Sequence, residues 1–199
     1  MVFIKTYEEP PLNKKEILRY IGSNQDQDTI QLVEECISKV KSVIKYKVCY
    51  CELCVSINNG LCDFGVFKVT SSNLAKNLKG CKQVIVFGAT LGIELDRIVA
   101  KHSKLSPTKA LIFQGIGAER TESLCNVFCE EIAKEFGVSL RPRFSPGYGD
   151  LPLETQRQIF SVLDCERKIG ITLNDSLLMS PTKSVTAFIG LEDDSNLEV

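Results

Sequence analysis

Residues 84–87 of the chain are Val-Ile-Val-Phe, and this short stretch decides the fold class. An unbroken run of apolar, β-prone side chains is typical of a strand that is buried on both faces near the centre of a sheet. No other stretch of the 199 residues has this character, although helix and strand patterns are mixed along the chain. A doubly wound parallel sheet needs several such runs. The sequence therefore predicts an α+β fold.

Helical patterns lie on both sides of this strand. Apolar residues recur at steps of three and four from Ile30 to Ile44, as on one face of an amphipathic helix. Asn13 followed by Glu16 forms a capping box for a short helix that stops at Gly22. Four more helices are predicted. Ser72 caps a short helix that ends at Gly80, and a second helix carries Ile93, Ile98 and Val99. A third runs from Ser106-Pro107 to Phe136 and closes on Gly137, with candidate interruptions at Gly115 and Gly117, and a fourth runs from about Pro152 to Leu163.

The remaining strands are predicted from β-prone residues and turn signals. Residues 46–57 and 61–69 flank Asn58-Asn59-Gly60, a turn that tolerates positive φ, and this pattern predicts a hairpin. The central strand is predicted to end at Gly88 and Gly92. Further along the chain, a shaped loop is predicted over Arg141–Asp150 and a last strand over Val185–Leu191.

Charge and hydropathy restrict the classes of function. The chain has 24 basic and 25 acidic side chains, so it lacks the positive excess that binds nucleic acid. The longest apolar run, residues 84–93, is too short to span a membrane, and the N-terminal segment lacks the apolar core of a signal peptide. We therefore expect a cytoplasmic protein with a single domain over residues 1–191 and a disordered acidic tail over residues 192–199.

Cysteines and a single histidine are the candidate metal ligands. His102 lies in a lysine-rich stretch and is expected at the surface, and a site with several histidines is excluded within one chain. Cys49, Cys51 and Cys54, with Cys62 eight residues further on, offer soft sulfur ligands of the kind that hold zinc or an iron–sulfur cluster. On a strand, however, Cys54 points away from the face shared by the first two. Two interpretations stay open: buried free thiols, or a metal or redox site.

The segment Arg143-Phe-Ser-Pro-Gly-Tyr148 has the composition of a binding loop. Arg143 carries a guanidinium fork that binds a carboxylate bidentately, and the Pro146-Gly147 turn exposes main-chain groups to a ligand. Tyr148 adds an aromatic ring with a polar tip. From the residues alone, this segment is either a ligand site or a structured connection.

The same segment resembles the Arg-x-x-Pro-Gly-Tyr motif of the activation domain of cobalamin-dependent methionine synthase. The resemblance continues through Gln156-Arg-Gln-Ile-Phe160. Residues 169–181 are then similar to the family's Gly-x-x-Leu-Thr-Glu-Ser-x-x-Met-x-Pro segment, and Ser184-Val185 extends the match. Upstream, Glu119–Glu131 resembles the helix that faces the loop in that family.

This resemblance is specific over residues 141–190, weaker over 83–136 and hardly detectable earlier. It implies a C-shaped domain with a twisted antiparallel β-sheet and flanking helices, of which the N-terminal helical and hairpin part is divergent. The implied function is the reductive methylation of cob(II)alamin with S-adenosylmethionine and a low-potential electron donor such as flavodoxin or ferredoxin. Because the family's cobalamin-binding motif is absent here, the expected partner is a separate corrinoid-binding methionine synthase module, on which this chain acts in trans.

The resemblance also implies roles for seven residues. Arg143 is expected to grip the methionyl carboxylate of S-adenosylmethionine, and Glu122 is expected to face its positive amino or sulfonium end. The expected wall around the ligand consists of Pro146, Gly147, Tyr148, Met179 and Pro181.

Three features depart from the family pattern. Ser180 stands where the family has a large aromatic side chain, the sequence continues only briefly after Leu191, and an N-terminal aspartate of the family has no counterpart. The expectation is that the family's last ligand-contacting segment is missing. Two alternatives are therefore kept: a non-catalytic corrinoid-protein interaction module that has lost ligand binding, and a cysteine-based metal or redox protein.

Overall fold

The computed structural model of the protein describes residues 1–23 and 26–192; residues 193–199, which contain most of the predicted acidic tail, lie outside the described residues. The elements, in chain order, are β1 (Phe3–Tyr7), α1 (Lys14–Tyr20), α2 (Gln27–Val40), β2 (Tyr46–Cys54), β3 (Ser56–Asn58), β4 (Leu61–Asp63), β5 (Lys68–Thr70), α3 (Ser72–Asn77), β6 (Gln83–Thr90), α4 (Glu94–Leu105), α5 (Pro107–Phe136), α6 (Thr155–Leu163), α7 (Cys165–Ile169), β7 (Thr172–Leu173), β8 (Met179–Ser180) and β9 (Ser184–Leu191). Helices and antiparallel sheets are mixed, and the predicted α+β class is confirmed.

A four-stranded antiparallel sheet in the order β1-β2-β6-β9 forms the centre of the fold. The run at residues 84–87 lies in β6, between β2 and β9, and all four of its side chains are fully buried. The strand continues through Gly88, so the prediction that this glycine ends the strand is wrong. A Cβ at Gly88 would lie 3.2 Å from the Sγ of Cys165, so the missing side chain lets α7 pack closely on the sheet.

Helices cover both faces of this sheet. On one face, α1, α2, α4 and α5 pack against a core that includes Ile85 and Phe87. On the other face, α3, α6, α7 and the small sheet β3-β4-β5 pack against Val84 and Val86. Because successive residues of a strand point to opposite faces, β6 contributes to both cores.

The predicted hairpin over residues 46–69 is correct only at its turn. Asn59 and Gly60 adopt φ angles of 49° and 84° and connect β3 to β4. Residues 46–54 instead form β2, which pairs with β1 and β6 rather than with residues 61–69. The N–H of Val55 donates to the Lys82 carbonyl at 2.9 Å, and the chain leaves the central sheet there. The β-prone run at residues 46–57 therefore contributes to two sheets, with β2 in the central sheet and β3 in the small sheet.

The longest helix, α5, begins at Pro107 and ends before Gly137, whose φ is 65°, as the sequence predicted. Neither Gly115 nor Gly117 interrupts it. A Cβ at Gly115 would lie 2.6 Å from Cγ2 of Ile21, so this glycine lets the end of α1 approach the helix. Neither α5 nor any other helix of the described residues is long and apolar enough to cross a bilayer.

Two local predictions need correction. Ser71, not Ser72, caps α3, because its Oγ accepts a hydrogen bond from the N–H of Leu74 at 3.0 Å. His102 is half-buried rather than fully solvated. Its ring packs edge-on against Phe113, with 4.9 Å between the ring centroids.

Candidate functional site

The loop Arg141–Asp150 runs along the outer edge of β9 and then leaves it. Phe144 and Phe188 exchange two main-chain hydrogen bonds of 2.9 Å, so the loop begins as a short extra strand. Beyond this pair a cavity of about 520 Å³ opens between the loop, β9, α5 and α6. The lining consists of Glu122, Cys125, Arg143, Phe144, Ser145, Pro146, Tyr148, Gln156, Met179, Val185 and Thr186.

A glycine and a carboxylate fix the shape of the loop. Gly147 has a φ of 89°, a conformation that favours glycine, and its N–H donates to the Leu151 carbonyl at 2.9 Å. The carboxylate of Asp150 accepts hydrogen bonds from the Oγ of Ser71 and from the N–H groups of residues 72 and 73, at 2.8 and 3.1 Å. The bond from Ser71 and those from the two main-chain groups hold the pKa of Asp150 below its usual value. The loop is thereby anchored to the start of α3.

Arg143 is the cationic group of the cavity, and its guanidinium lies against α5. Its Nη2 donates to Glu122 Oε2 at 2.8 Å, and its Nη1 donates to Asn126 Oδ1 at 2.8 Å. The Arg143 side chain is 26% exposed, whereas the Glu122 side chain is 56% exposed. One wall of the cavity therefore presents a sheltered positive charge beside a more open negative charge.

The thiol of Cys125 also belongs to the lining, on the same helix as Glu122. Burial raises the pKa of the Cys125 thiol to about 12, although the positive charge of Arg143 acts in the opposite direction. The thiol is therefore protonated at neutral pH and is not a nucleophilic thiolate. The charged side chains of the lining are Glu122 and Arg143.

Two neutral polar side chains complete the lining on its other side. Gln156 of α6 and Thr186 of β9 are both buried. The Oε1 atom of Gln156 and the Oγ1 atom of Thr186 have no hydrogen-bond partner among the described residues. The sequence analysis did not identify Gln156 or Thr186 as candidate site residues. Gln156 stands in a segment that carried the family resemblance, but the sequence holds no sign that its amide oxygen is buried and unpaired.

The structure brings together five of the seven residues to which the resemblance gave a role: Glu122, Arg143, Pro146, Tyr148 and Met179. Gly147 lies outside the lining and shapes the turn of the loop. Pro181 also lies outside the lining, where it is buried directly after β8, and the neighbouring Ser180 is exposed. The roles of all seven in ligand binding stay predictions.

The four cysteine candidates do not converge. Cys49, Cys51 and Cys62 are buried in the core on one face of the sheet, whereas Cys54 is exposed at the end of β2. The Sγ of Cys49 instead lies 3.9 Å from the Sγ of Cys165. Within residues 1–23 and 26–192, no group of three or more His, Cys, Asp or Glu side chains is arranged to hold a metal ion. The geometry favours the interpretation of these residues as free thiols.

Comparisons with known proteins show similarity in sequence over the C-terminal part of the chain and in fold over almost all of it. Residues 126–197 match the family model of the vitamin B12 dependent methionine synthase activation domain. The crystal structure of the MetH reactivation domain bound to AdoHcy matches with a TM-score of 0.71 and 12% sequence identity, over 98% of this chain and 80% of that chain. No curated protein gives a significant match. The chain thus has the fold of a methionine synthase reactivation domain, and its C-terminal part carries the sequence pattern of the vitamin B12 dependent methionine synthase activation domain family.

Proposed function

We propose that this protein binds S-adenosylmethionine and acts as a reactivation subunit for cobalamin-dependent methionine synthase. The observation that carries the proposal is the cavity beside β9, where Arg143 and Glu122 form a charged wall. Its volume of about 520 Å³ falls within the range of small-molecule sites. The fold is that of a reactivation domain whose crystal structure holds AdoHcy.

The charges of the cavity suit the amino-acid end of S-adenosylmethionine. The planar guanidinium of Arg143 fits the ligand carboxylate, and the carboxylate of Glu122 fits the ammonium or the sulfonium. Arg143 already donates to Glu122 and Asn126. A bound carboxylate would share the guanidinium, which frees Glu122 for the positive groups of the ligand. Pro146 and Tyr148 then supply an apolar wall beside the pair.

The reaction needs alignment rather than proton transfer. When the methyl group leaves the sulfonium, the electron pair of the broken C–S bond stays on sulfur, so that a neutral thioether is released. The corrinoid, carried by a partner protein and reduced by a low-potential donor such as flavodoxin or ferredoxin, supplies the cobalt nucleophile. The residues of this chain bind and orient the ligand: Arg143 and Glu122 fix its amino-acid end, and the loop over 143–148 shields one side from water.

Calorimetric titration with S-adenosylmethionine tests ligand binding. We expect saturable binding that Arg143→Ala weakens about 10- to 100-fold, because a charge-assisted hydrogen bond contributes about 1.5–3 kcal/mol. The control Arg167→Ala removes a guanidinium that pairs with Asp164 on the exposed surface of α7, and it should bind like the wild type. Absence of binding by the wild-type protein at millimolar ligand contradicts the proposal and favours a non-catalytic interaction module.

Action on a separate protein has its own test. The cobalamin-binding module of methionine synthase is loaded with cob(II)alamin and mixed with a chemical reductant and S-adenosylmethionine that is radiolabelled on its methyl group. We expect the module to acquire label faster when this protein is added, and Arg143→Ala to remove that acceleration. Equal labelling with and without the wild-type protein contradicts action in trans.

A further inference from the structure

Strand β1 forms an open edge of the central sheet. It pairs with β2 on one side, and no other strand within residues 1–23 and 26–192 pairs with its outer side. Phe3 and Ile4 of this strand are 45% and 50% exposed. At the opposite edge of the sheet, β9 is paired in part by the loop at Phe144. The open edge of the sheet is therefore the one that carries exposed apolar side chains.

The usual features that protect an edge strand are absent from β1. Protected edges carry a proline, a bulge, or a charge that an added strand would have to bury. Residues 3–7 contain no proline, and their register with residues 46–50 of β2 has no bulge. Lys5 carries a charge, but its Nζ already lies 3.0 Å from Glu131 Oε1 and 2.7 Å from Glu135 Oε2 of α5. Another strand can therefore pair with β1 without leaving a lysine unpaired.

The sequence of β1 is complementary to itself in one antiparallel register. Two copies centred on Lys5 would place two ammonium groups opposite each other, which is unfavourable. Two copies centred on Ile4 place the isoleucines opposite each other, and each Lys5 opposite Phe3 of the other copy. The ring of Phe3 is stacked on Tyr50, with 5.3 Å between the centroids, so the apolar stem of the incoming lysine would extend a packed row. The Ile4 register therefore covers the exposed apolar side chains and places no like charges directly opposite each other.

We propose that this protein forms a symmetric homodimer in which β1 pairs antiparallel with β1 of a second copy, centred on Ile4. A two-fold axis at Ile4 joins the two central sheets into one, with the β1 strands in the middle and the β9 strands at the ends. Each cavity beside β9 then lies far from the axis and stays open to ligand. The occupant of the edge is a second copy of this chain, because the complementarity is that of β1 with itself. This inference does not depend on the proposed function.

Sedimentation equilibrium of the wild-type protein, from micromolar to near-millimolar concentration, tests the dimer. We expect the mean mass to rise with concentration towards twice that of one chain, because mass action governs association. Ile4→Lys places two ammonium groups at the axis, and we expect its dissociation constant to be at least about tenfold higher. Leu111→Lys makes the same change at another exposed apolar position, on α5, and should associate like the wild type. A monomer at every concentration overturns the proposal, as does equal weakening by the two substitutions.

Disulfide crosslinking tests the register and stays informative if Ile4→Lys does not fold. Ile4→Cys brings two thiols opposite each other at the axis, with about 5 Å between their Cβ atoms, so mild oxidation should link two copies. Thr6→Cys lies on the same face of β1, but its two copies would stand about 13 Å apart, too far for a disulfide. The wild-type protein measures background linkage through its own exposed Cys54.

Mass spectrometry of tryptic peptides identifies which cysteines are linked. We expect the new linkage in Ile4→Cys and not in Thr6→Cys. A register centred on Thr6 would give the reverse result and overturns the dimer proposed here. Equal linkage in the two variants, or linkage in neither above the wild-type background, also overturns it.

Discussion

Arg120 has the largest side chain that is fully buried among the described residues, and it forms an ion pair with its neighbour Glu119. Its Nη1 and Nη2 atoms donate to the carbonyls of Pro10 and Pro11, both at 2.7 Å. The carboxylate of Glu119 accepts from the N–H of Asn13 at 2.9 Å. Because the hydrogen bonds reach the segment between β1 and α1, this pair fixes the N-terminal part of the chain to α5.

Breaking this pair should destabilise the protein strongly. Arg120→Met leaves the charge of Glu119 buried without its partner, and we expect the free energy of unfolding to fall by about 3–5 kcal/mol in urea denaturation followed by circular dichroism. The double variant Arg120→Met with Glu119→Gln also removes the buried charge, and its free energy of unfolding should fall by a smaller amount. Arg97→Ala breaks an exposed pair with Glu94 and should change the same quantity by about 0–1 kcal/mol. Equal losses in Arg120→Met and Arg97→Ala contradict the structural role of the buried pair.

At the scale of elements, the loop Arg141–Asp150 depends on a helix that is distant in sequence. The carboxylate of Asp150, at the end of the loop, accepts hydrogen bonds from Ser71 and from the first main-chain N–H groups of α3. Negative charge at the start of a helix is favourable, because the first N–H groups have no partners within the helix. The position of Arg143 and Tyr148 therefore depends on an anchor that lies outside the cavity.

Asp150→Asn is expected to lower Tm and to weaken S-adenosylmethionine binding, since it removes the charge and retains only one acceptor oxygen. The pKa of Asp150 is lowered in the folded protein, so its contribution to stability is complete above the unfolded pKa of about 3.9 and disappears as the pH falls through the lower folded value. The stability difference between wild type and variant should therefore be largest above about pH 5 and shrink in more acidic solution. Urea denaturation of both proteins at several pH values from acidic to neutral measures this difference in stability. Asp175→Asn, at an exposed loop position, is the control. A difference that does not depend on pH contradicts the anchor.

Element boundaries that depend on local chemistry could be predicted, and strand partners could not. Ser106-Pro107 and Gly137 set the ends of α5, because a proline and a left-handed glycine act within one turn of the chain. The β-prone run at residues 46–57 gave no indication that it divides between two sheets. Its pairing depends on β1 and β6, which are distant in sequence.

At the scale of the whole molecule, two cores share the central strands and should unfold together. Ile116 lies in the core on the α5 face, and Ile159 lies in the core on the α6 face; both are fully buried. We expect Ile116→Ala and Ile159→Ala each to cost about 2–5 kcal/mol and to shift one common thermal transition. Tyrosine fluorescence and far-ultraviolet circular dichroism should report the same midpoint in both variants. Two separate midpoints contradict a single folding unit.

The candidate site was predictable where a motif marked it. Arg143, Pro146 and Tyr148 lie within six residues of sequence, and the family resemblance added Glu122 and Met179. Gln156 and Thr186 could not be predicted as lining residues, because their positions beside the cavity exist only once α6 and β9 are packed together.

The outer edge of β9 is paired by the loop at Phe144 but faces the cavity near Thr186. An unpaired strand edge is a template on which the strand of another molecule can add. The loop that builds the cavity therefore also screens this edge from neighbouring molecules. Detachment of the loop would expose the edge and favour self-association of the protein through β9.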